Sequence, residues 1–243
     1  MRTDVVAALT PAVRRDELAL HLIGGPYVVE AGCRRELPEN SRRVLALVAL
    51  RPEWLSRVTA AGRLWPGGDE HRAAGNLRSA LWRMRGAGID IIESDRSALR
   101  LRPDALVDLR LAEDWALRMI DGCPTSTDLA TIGWQAHAFD LLPSWYDDWV
   151  VLERERLRQR MLHGLEAMSR LLVREARPAQ AVKAAGLAVS TDPLRESAQR
   201  VLIEAHLASG QLTTARRCLH RYRAVLEAEL GAAPSAELAA LVG

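Results

Sequence analysis

Cysteine is scarce: Cys33, Cys123 and Cys218 are odd in number and far apart, so no disulfide framework and no CxxC metal knuckle can be built within one chain. A reducing compartment fits. Lysine is nearly absent, and the one example, Lys183, is followed by alanine, which excludes a GxxxxGKS/T phosphate loop and the ATPases built on it. The longest apolar run, Val44 to Leu50, is seven residues, where a membrane span needs roughly 20. Val5 to Leu9, ahead of Pro11, is too short for a secretory signal, so a cytoplasmic protein with no membrane partner is expected. The six histidines form neither HExxH nor a zinc-finger spacing, and neither GxSxG nor a dinucleotide-binding glycine loop occurs. Cys218 and His220, with His206, read as a core cysteine beside surface histidines rather than a metal site. Asp147 and Asp148 are adjacent and would point about 100° apart on a helix, a poor acid/base pair. No enzyme, cofactor or metal is expected.

What is present is a chain of 243 residues, 49% hydrophobic and 26% charged, enough apolar surface for a folded core. The net charge of +2 hides an asymmetry. Residues 1–110 hold 18 arginines against 14 acidic residues, while the remainder holds 15 basic against 17 acidic. Basic character belongs to the first half, and its local arrangement matters more than its total.

The pattern of elements also divides the chain. After a polar, flexible tail over 1–17, apolar residues alternate around Gly24, Gly25, Pro26 and Gly32, as short strands joined by tight turns would. Three helical stretches follow, at Ser41 to Leu50, Ser56 to Trp65 and His71 to Arg85, punctuated by Pro52, by Pro66-Gly67-Gly68 and by Gly86 and Gly88. Ile89 to Ile92 and Ala98 to Leu101, separated by the polar Glu93 to Ser97, read as a hairpin. From Leu109 onward helical stripes dominate. Asp192 is expected to cap a helix beginning at Pro193, and matching Ala181 to Ala215 gives a 34-residue offset, the tetratricopeptide period.

On a helical wheel the third stretch places Ala73, Leu77, Ala80, Leu81 and Met84 on one face. Arg72, Gly75, Asn76, Ser79, Trp82 and Arg83 fall on the other, with Arg78 and Arg85 flanking. No carboxylate occurs between Glu70 and Asp90. Arginine can donate twice to guanine, asparagine can pair with adenine, and serine suits bases or phosphates, so this face has the chemistry of major-groove reading; the alternative is an arginine-decorated solvated face. The hairpin turn Ser94-Asp95-Arg96-Ser97, with Arg100 and Arg102 beyond it, suits a wing on the DNA backbone or minor groove, although Asp95 argues for an ordinary surface hairpin. Trp82 is expected to pack against this wing or to touch a sugar-phosphate.

Several strings carry a resemblance: LLPSWYDDWV, ERERL, DPLRE and the final LGAAPS. They resemble the bacterial transcriptional activator domain, and RLWPGG with NLRSALWRMR resembles the second and third helices of an OmpR-type winged helix. That combination is similar to the SARP family, the Streptomyces antibiotic regulatory proteins, over nearly the whole chain from Glu17. The resemblance implies an α+β winged-helix DNA-binding domain over 18–108 and an all-α, tetratricopeptide-like activator domain over 109–243. It implies a transcriptional activator that binds direct repeats of double-stranded DNA near promoter −35 elements. Such a protein recruits RNA polymerase holoenzyme and controls an antibiotic or other secondary-metabolite cluster. DNA contacts then fall to Arg72, Asn76, Arg78, Ser79, Trp82, Arg83, Arg96 and Arg100, and polymerase contacts to Pro66, Gly67, Gly68, Asp69 and Glu70. The family's wing often holds a glycine-aromatic pair where Ser97-Ala98-Leu99 stands here. Larger members add an ATPase module, and regulation by nucleotide hydrolysis is not expected in this chain. A single copy on one short repeat would bind weakly, so two or more copies on tandem half-sites are expected. The competing reading from another class is a helical protein-interaction scaffold with little DNA binding.

In the second half, Glu153 to Arg158 alternate in sign, as a salt-bridged solvated helix face would. Trp145, Tyr146 and Trp149 read as a packing knot, not a ligand pocket.

Overall fold

A computed structural model describes residues 18–130 and 139–243; the expected tail over 1–17 lies outside them. The described chain divides into two compact units, one of residues 18–111 with 140–154, the other of 112–130, 139 and 155–243.

In the first unit, β1 (Ala19–His21), β2 (Tyr27–Glu30) and β3 (Cys33–Arg35) form an antiparallel meander. β7 (Leu106–Val107) pairs parallel to β1 and completes the order β3-β2-β1-β7. All three residues of β1 are buried whereas edge strand β3 is fully exposed; its two arginines discourage pairing with another chain. At the β1–β2 corner a Cβ on Gly25 would lie 2.0 Å from the His21 carbonyl oxygen, so only glycine fits. Asp108, 1% exposed, closes the sheet: its carboxylate accepts from the amides of Leu22 (2.9 Å), Ile23 (2.9 Å) and Leu109 (2.7 Å).

Three helices follow: α1 (Glu39–Ala49), α2 (Arg57–Leu64) and α3 (Glu70–Gly86). The α1 stripe Val44, Leu45, Leu47 and Val48 is fully buried, and the buried Ser41 hydroxyl donates to the Ala80 carbonyl at 2.8 Å, joining α1 to α3. β5 (Ile92–Ser94) and β6 (Ala98–Leu101) form the hairpin, and β4 (Leu55–Ser56) adds to β6. The first hairpin strand starts later than expected, because Gly88 (φ +76°) and the Ile89 N–H, which donates to Met84 O at 3.1 Å, still belong to the end of α3.

Residues 140–142 return to this unit. Leu141 bridges Ile23, Leu142 N–H donates to Leu22 O at 2.9 Å, and Gly24 N–H to Asp140 O at 2.9 Å. Arg154 then donates to the carbonyls of Leu141, Leu142 and Trp145. Trp145 and Trp149 meet edge to face at 6.3 Å, but Tyr146 is 82% exposed and is not part of the knot.

The second unit is helical. It holds the later part of α4 (Asp108–Ile120), a 3-10 turn (Asp128–Ala130) and most of α5 (Asp148–Arg174). Then come α6 (Pro178–Thr191), α7 (Glu196–Ala208), α8 (Leu212–Leu230) and α9 (Ala236–Ala240). Gly164 lets α5 approach α4: a Cβ there would meet the Trp115 ring at 2.9 Å and Ala116 at 3.1 Å. α6 packs on α7 and α7 on α8, and Ala181 and Ala215, the pair matched at 34 residues, are both fully buried. Buried Glu166 accepts from Arg195 Nε (2.6 Å) and Ser197 Oγ (2.7 Å), tying α5 to the start of α7. The expected start at Pro193 is corrected: Asp192 ends α6, its carboxylate binds Arg158 at 2.9 Å, and α7 begins at Glu196. Glu155 and Arg158 pair on the α5 surface as the alternating signs implied. Cys218 lies beside the Ile203, Leu219 and Tyr222 core, and burial pushes its thiol up. Among the described residues no helix is long and apolar enough to cross a membrane. The expected fold class stands: a small sheet, three helices and a wing-like hairpin, then an all-helical domain.

Candidate nucleic-acid interface

α3 is built as a presenting helix. Asp69 caps it by accepting from Arg72 N–H at 2.7 Å, and Glu70 adds a favourable charge at its N-terminus. The buried set is Ala73, Leu77, Ala80, Leu81 and Met84, the face expected from the wheel. Arg72, Asn76, Ser79, Trp82 and Arg83 are all exposed, and at 100° per residue they share one outward arc. Trp82 is 75% exposed and so does not pack against the wing.

Arg78 and Arg85 lie on the flank of α3 that faces the hairpin. There a basin of about 590 Å³ opens between α2, α3 and the hairpin tip, with Arg57, Arg78, Arg85 and Arg96 around an apolar floor of Val58, Ala61, Ala74 and Leu77. Glu70 and Asp95 also line it. The Asp95 carboxylate is occupied within its own turn, accepting from the amides of Ser97 (2.6 Å) and Ala98 (2.7 Å) and from the Ser97 hydroxyl (2.9 Å). Those amides, Ser97 first, hold its carboxyl below the ordinary range. Two arginines fix the hairpin to the helices: Arg57 Nη1 donates to Asp95 O at 3.0 Å and Arg85 Nη2 to Ser94 Oγ at 2.8 Å.

Partner choice sorts the expected site residues. Among the described residues, no acceptor engages the guanidinium of Arg72, Arg78, Arg83 or Arg96. Arg100, by contrast, donates to Glu93 at 2.7 Å and lies over the Trp54 ring at 4.6 Å, so its charge is committed within the hairpin. Arg102 binds Asp104, which raises its pKa. The α3 arc thus groups Arg72, Asn76, Ser79, Trp82 and Arg83, the Arg100 guanidinium is held by Glu93, and the basin groups Arg78 with Arg96. Arg57 was not expected there. It reaches the basin only because two-residue β4 pairs with β6, a strand too short to signal itself in sequence.

Pro66, Gly67 and Gly68 form an exposed turn, with Gly68 N–H donating to Trp65 O at 3.3 Å. Asp69 and Glu70 have roles in the fold already, as cap and as basin wall.

Residues 123–242 match the family model of the bacterial transcriptional activator domain. The chain carries a bacterial transcriptional activator domain. The fold is similar to that of Mycobacterium tuberculosis EmbR, solved in complex with a low-affinity phosphopeptide, with a TM-score of 0.66 and 21% identity over 93% of this chain. This chain spans 64% of the EmbR chain. No curated protein matches the chain in sequence. A winged-helix-like unit followed by the activator domain is the organisation of a SARP-type regulator. That family is one of regulators, not of enzymes.

Proposed function

We propose that this SARP-type regulator is a sequence-specific DNA-binding activator. On this reading it docks α3 in the major groove and the hairpin tip, as a wing, on the backbone or minor groove. The observation that carries this is the outward arc of α3: unpartnered arginines with asparagine and serine, no carboxylate between Glu70 and Asp90, and a basin of further arginines beside it. Outward donors can reach base edges, while basin arginines suit the phosphates of the strand that runs between helix and wing. Two or more copies read direct repeats near promoter −35 elements. The Pro66–Glu70 turn and the activator domain contact RNA polymerase holoenzyme, and the target is a secondary-metabolite cluster in the cytoplasm. The winged-helix domain is assigned to 18–108 and the activator domain to 109–243.

The test is binding of the whole chain to its own upstream DNA and to scrambled DNA at two salt concentrations, with Arg78→Ala and Arg83→Ala alongside. Selective binding that falls with salt is expected. Each variant should lose about 1–3 kcal/mol. Equal binding by parent and variants would show that the docking face is elsewhere. Protection of only isolated single sites would exclude tandem binding.

A further inference from the structure

Trp82 is the one large apolar side chain on the outward arc of α3, and it is 75% exposed. It sits one helical turn beyond Arg78 and Ser79 and one turn before Arg85 and Gly86, with no carboxylate on that stretch. Leaving an indole in water forgoes the burial that makes tryptophan a strong anchor elsewhere. Neither the hairpin nor a neighbouring helix covers it. Its surroundings specify what would: arginine and serine donors suit a polyanion lined with acceptors, not an apolar protein face.

On such a surface an indole has little to offer a phosphate, since it carries a single N–H donor and no charge. It offers much to the apolar feature of the major groove, the 5-methyl group of thymine, which tells T·A from C·G by contact alone. We infer that Trp82 is a specificity-determining residue that packs on a thymine methyl, so that each half-site contains at least one thymine read through its methyl group. This rests on the DNA-reading function proposed above. Arg72, Asn76, Ser79 and Arg83 supply the hydrogen bonds beside it. Trp82 adds a requirement that no donor can impose, because deoxyuridine presents the same acceptors as thymidine and lacks only the methyl.

The experiment first selects the preferred site from random duplex DNA with the whole chain, then replaces its thymines one at a time by deoxyuridine. Parent protein should lose about fourfold in affinity at one or two positions per half-site, the effect expected for burying one methylene-sized group. Trp82→Ala should bind the thymine site about fourfold or more weakly and be indifferent to the uracil exchange. Trp82→Phe should keep part of the methyl sensitivity. Because the side chain is solvent-exposed, the variants should retain the parent's circular dichroism spectrum. A selected site without thymine would overturn the inference. So would equal affinity for every uracil site, or undiminished methyl sensitivity in Trp82→Ala; in each of these cases the DNA-reading function would survive. Failure to select any sequence would overturn that function and the inference together.

Discussion

Replacing Asp108 by asparagine changes almost no volume and removes one charge, yet the geometry predicts a large loss of stability. The two carboxylate oxygens hold three backbone amides, Leu22 and Leu109 on one and Ile23 on the other, at 2.7–2.9 Å, in a site that is 1% exposed. Asparagine has one acceptor oxygen, so one of these groups faces an NH2 and loses its partner. A buried amide left unsatisfied costs about 1–3 kcal/mol. The surviving bonds lose charge assistance, which is worth roughly 1 kcal/mol more. Some is returned because a neutral group is cheaper to bury. The net expectation is about 3 kcal/mol, or roughly 10 °C in midpoint for a chain of this size. Thermal unfolding of the whole chain, followed by circular dichroism, measures it, with Asp108→Ala expected to be at least as damaging. An Asp108→Asn midpoint within about 2 °C of the parent would refute the claim that charge-assisted bonds from Asp108 hold the end of β1 to the start of α4.

Arg100→Ala is expected to leave DNA affinity within about twofold of the parent while Arg96→Ala weakens it and lowers the salt slope by about 1, since only Arg100 is committed to Glu93 and Trp54. Equal losses in a salt titration would show that the Arg100 pair opens to reach DNA. Gly25→Ala should cost at least about 2 kcal/mol, because its Cβ would collide with a backbone carbonyl. Gly24→Ala, at φ +71° in open space, should cost about 1 kcal/mol; denaturant midpoints that rank them the other way would contradict the packing at that corner. Burial pushes the Asp128 carboxyl up, but Arg118 and Thr125 together hold it below the ordinary range. Its stabilisation is therefore present above about pH 4 and is lost as pH falls through the lowered value. Unfolding midpoints at pH 7, 4 and 3 should show a shallower acid loss in Asp128→Asn; parallel losses would exclude a lowered carboxyl there.

The core face of α3 was legible residue for residue because a 17-residue amphipathic helix repeats its signal several times. The wing was less so, and one slip accounts for the misplacement of Arg100. Reading Glu93 as part of the turn leaves Arg100 without a partner. In the folded hairpin the connection is only Asp95 to Ser97, so Glu93 stands directly across from Arg100 and neutralises it. The slip arose because Ile89 looks like a strand residue while its amide closes the end of α3. Pro193 also misled: a proline suits the first position of a helix, but Asp192, the intended cap, is drawn off by Arg158 on another helix. The Pro193 error is a tertiary partner overriding a local rule, whereas the hairpin error is a local helix closure that hydrophobic periodicity alone does not register.

The same partner accounting explains how a chain of net charge +2 can present an electropositive face. Several arginines elsewhere are paired with acids: Arg43 with Asp147, Arg118 with Asp128, Arg158 with Glu155 and Asp192, Arg195 with Glu166. Along α3 the buffering stops, because nineteen consecutive residues, 71–89, contain no carboxylate. Local potential is therefore created by withholding acid rather than by adding base. Beyond about 8–10 Å, the screening length at physiological salt, the field fades, so the chain is not drawn to every polyanion at long range. Within that distance, on the proposed reading, the outward arc would meet DNA with its donors free, so binding energy would not be spent on breaking internal salt bridges. A carboxylate introduced on that arc, as in Ser79→Glu, restores the missing buffer beside Arg72, Arg83 and Asn76. It should abolish selective binding without unfolding the exposed helix; retained selectivity would mean that bases are read from another surface.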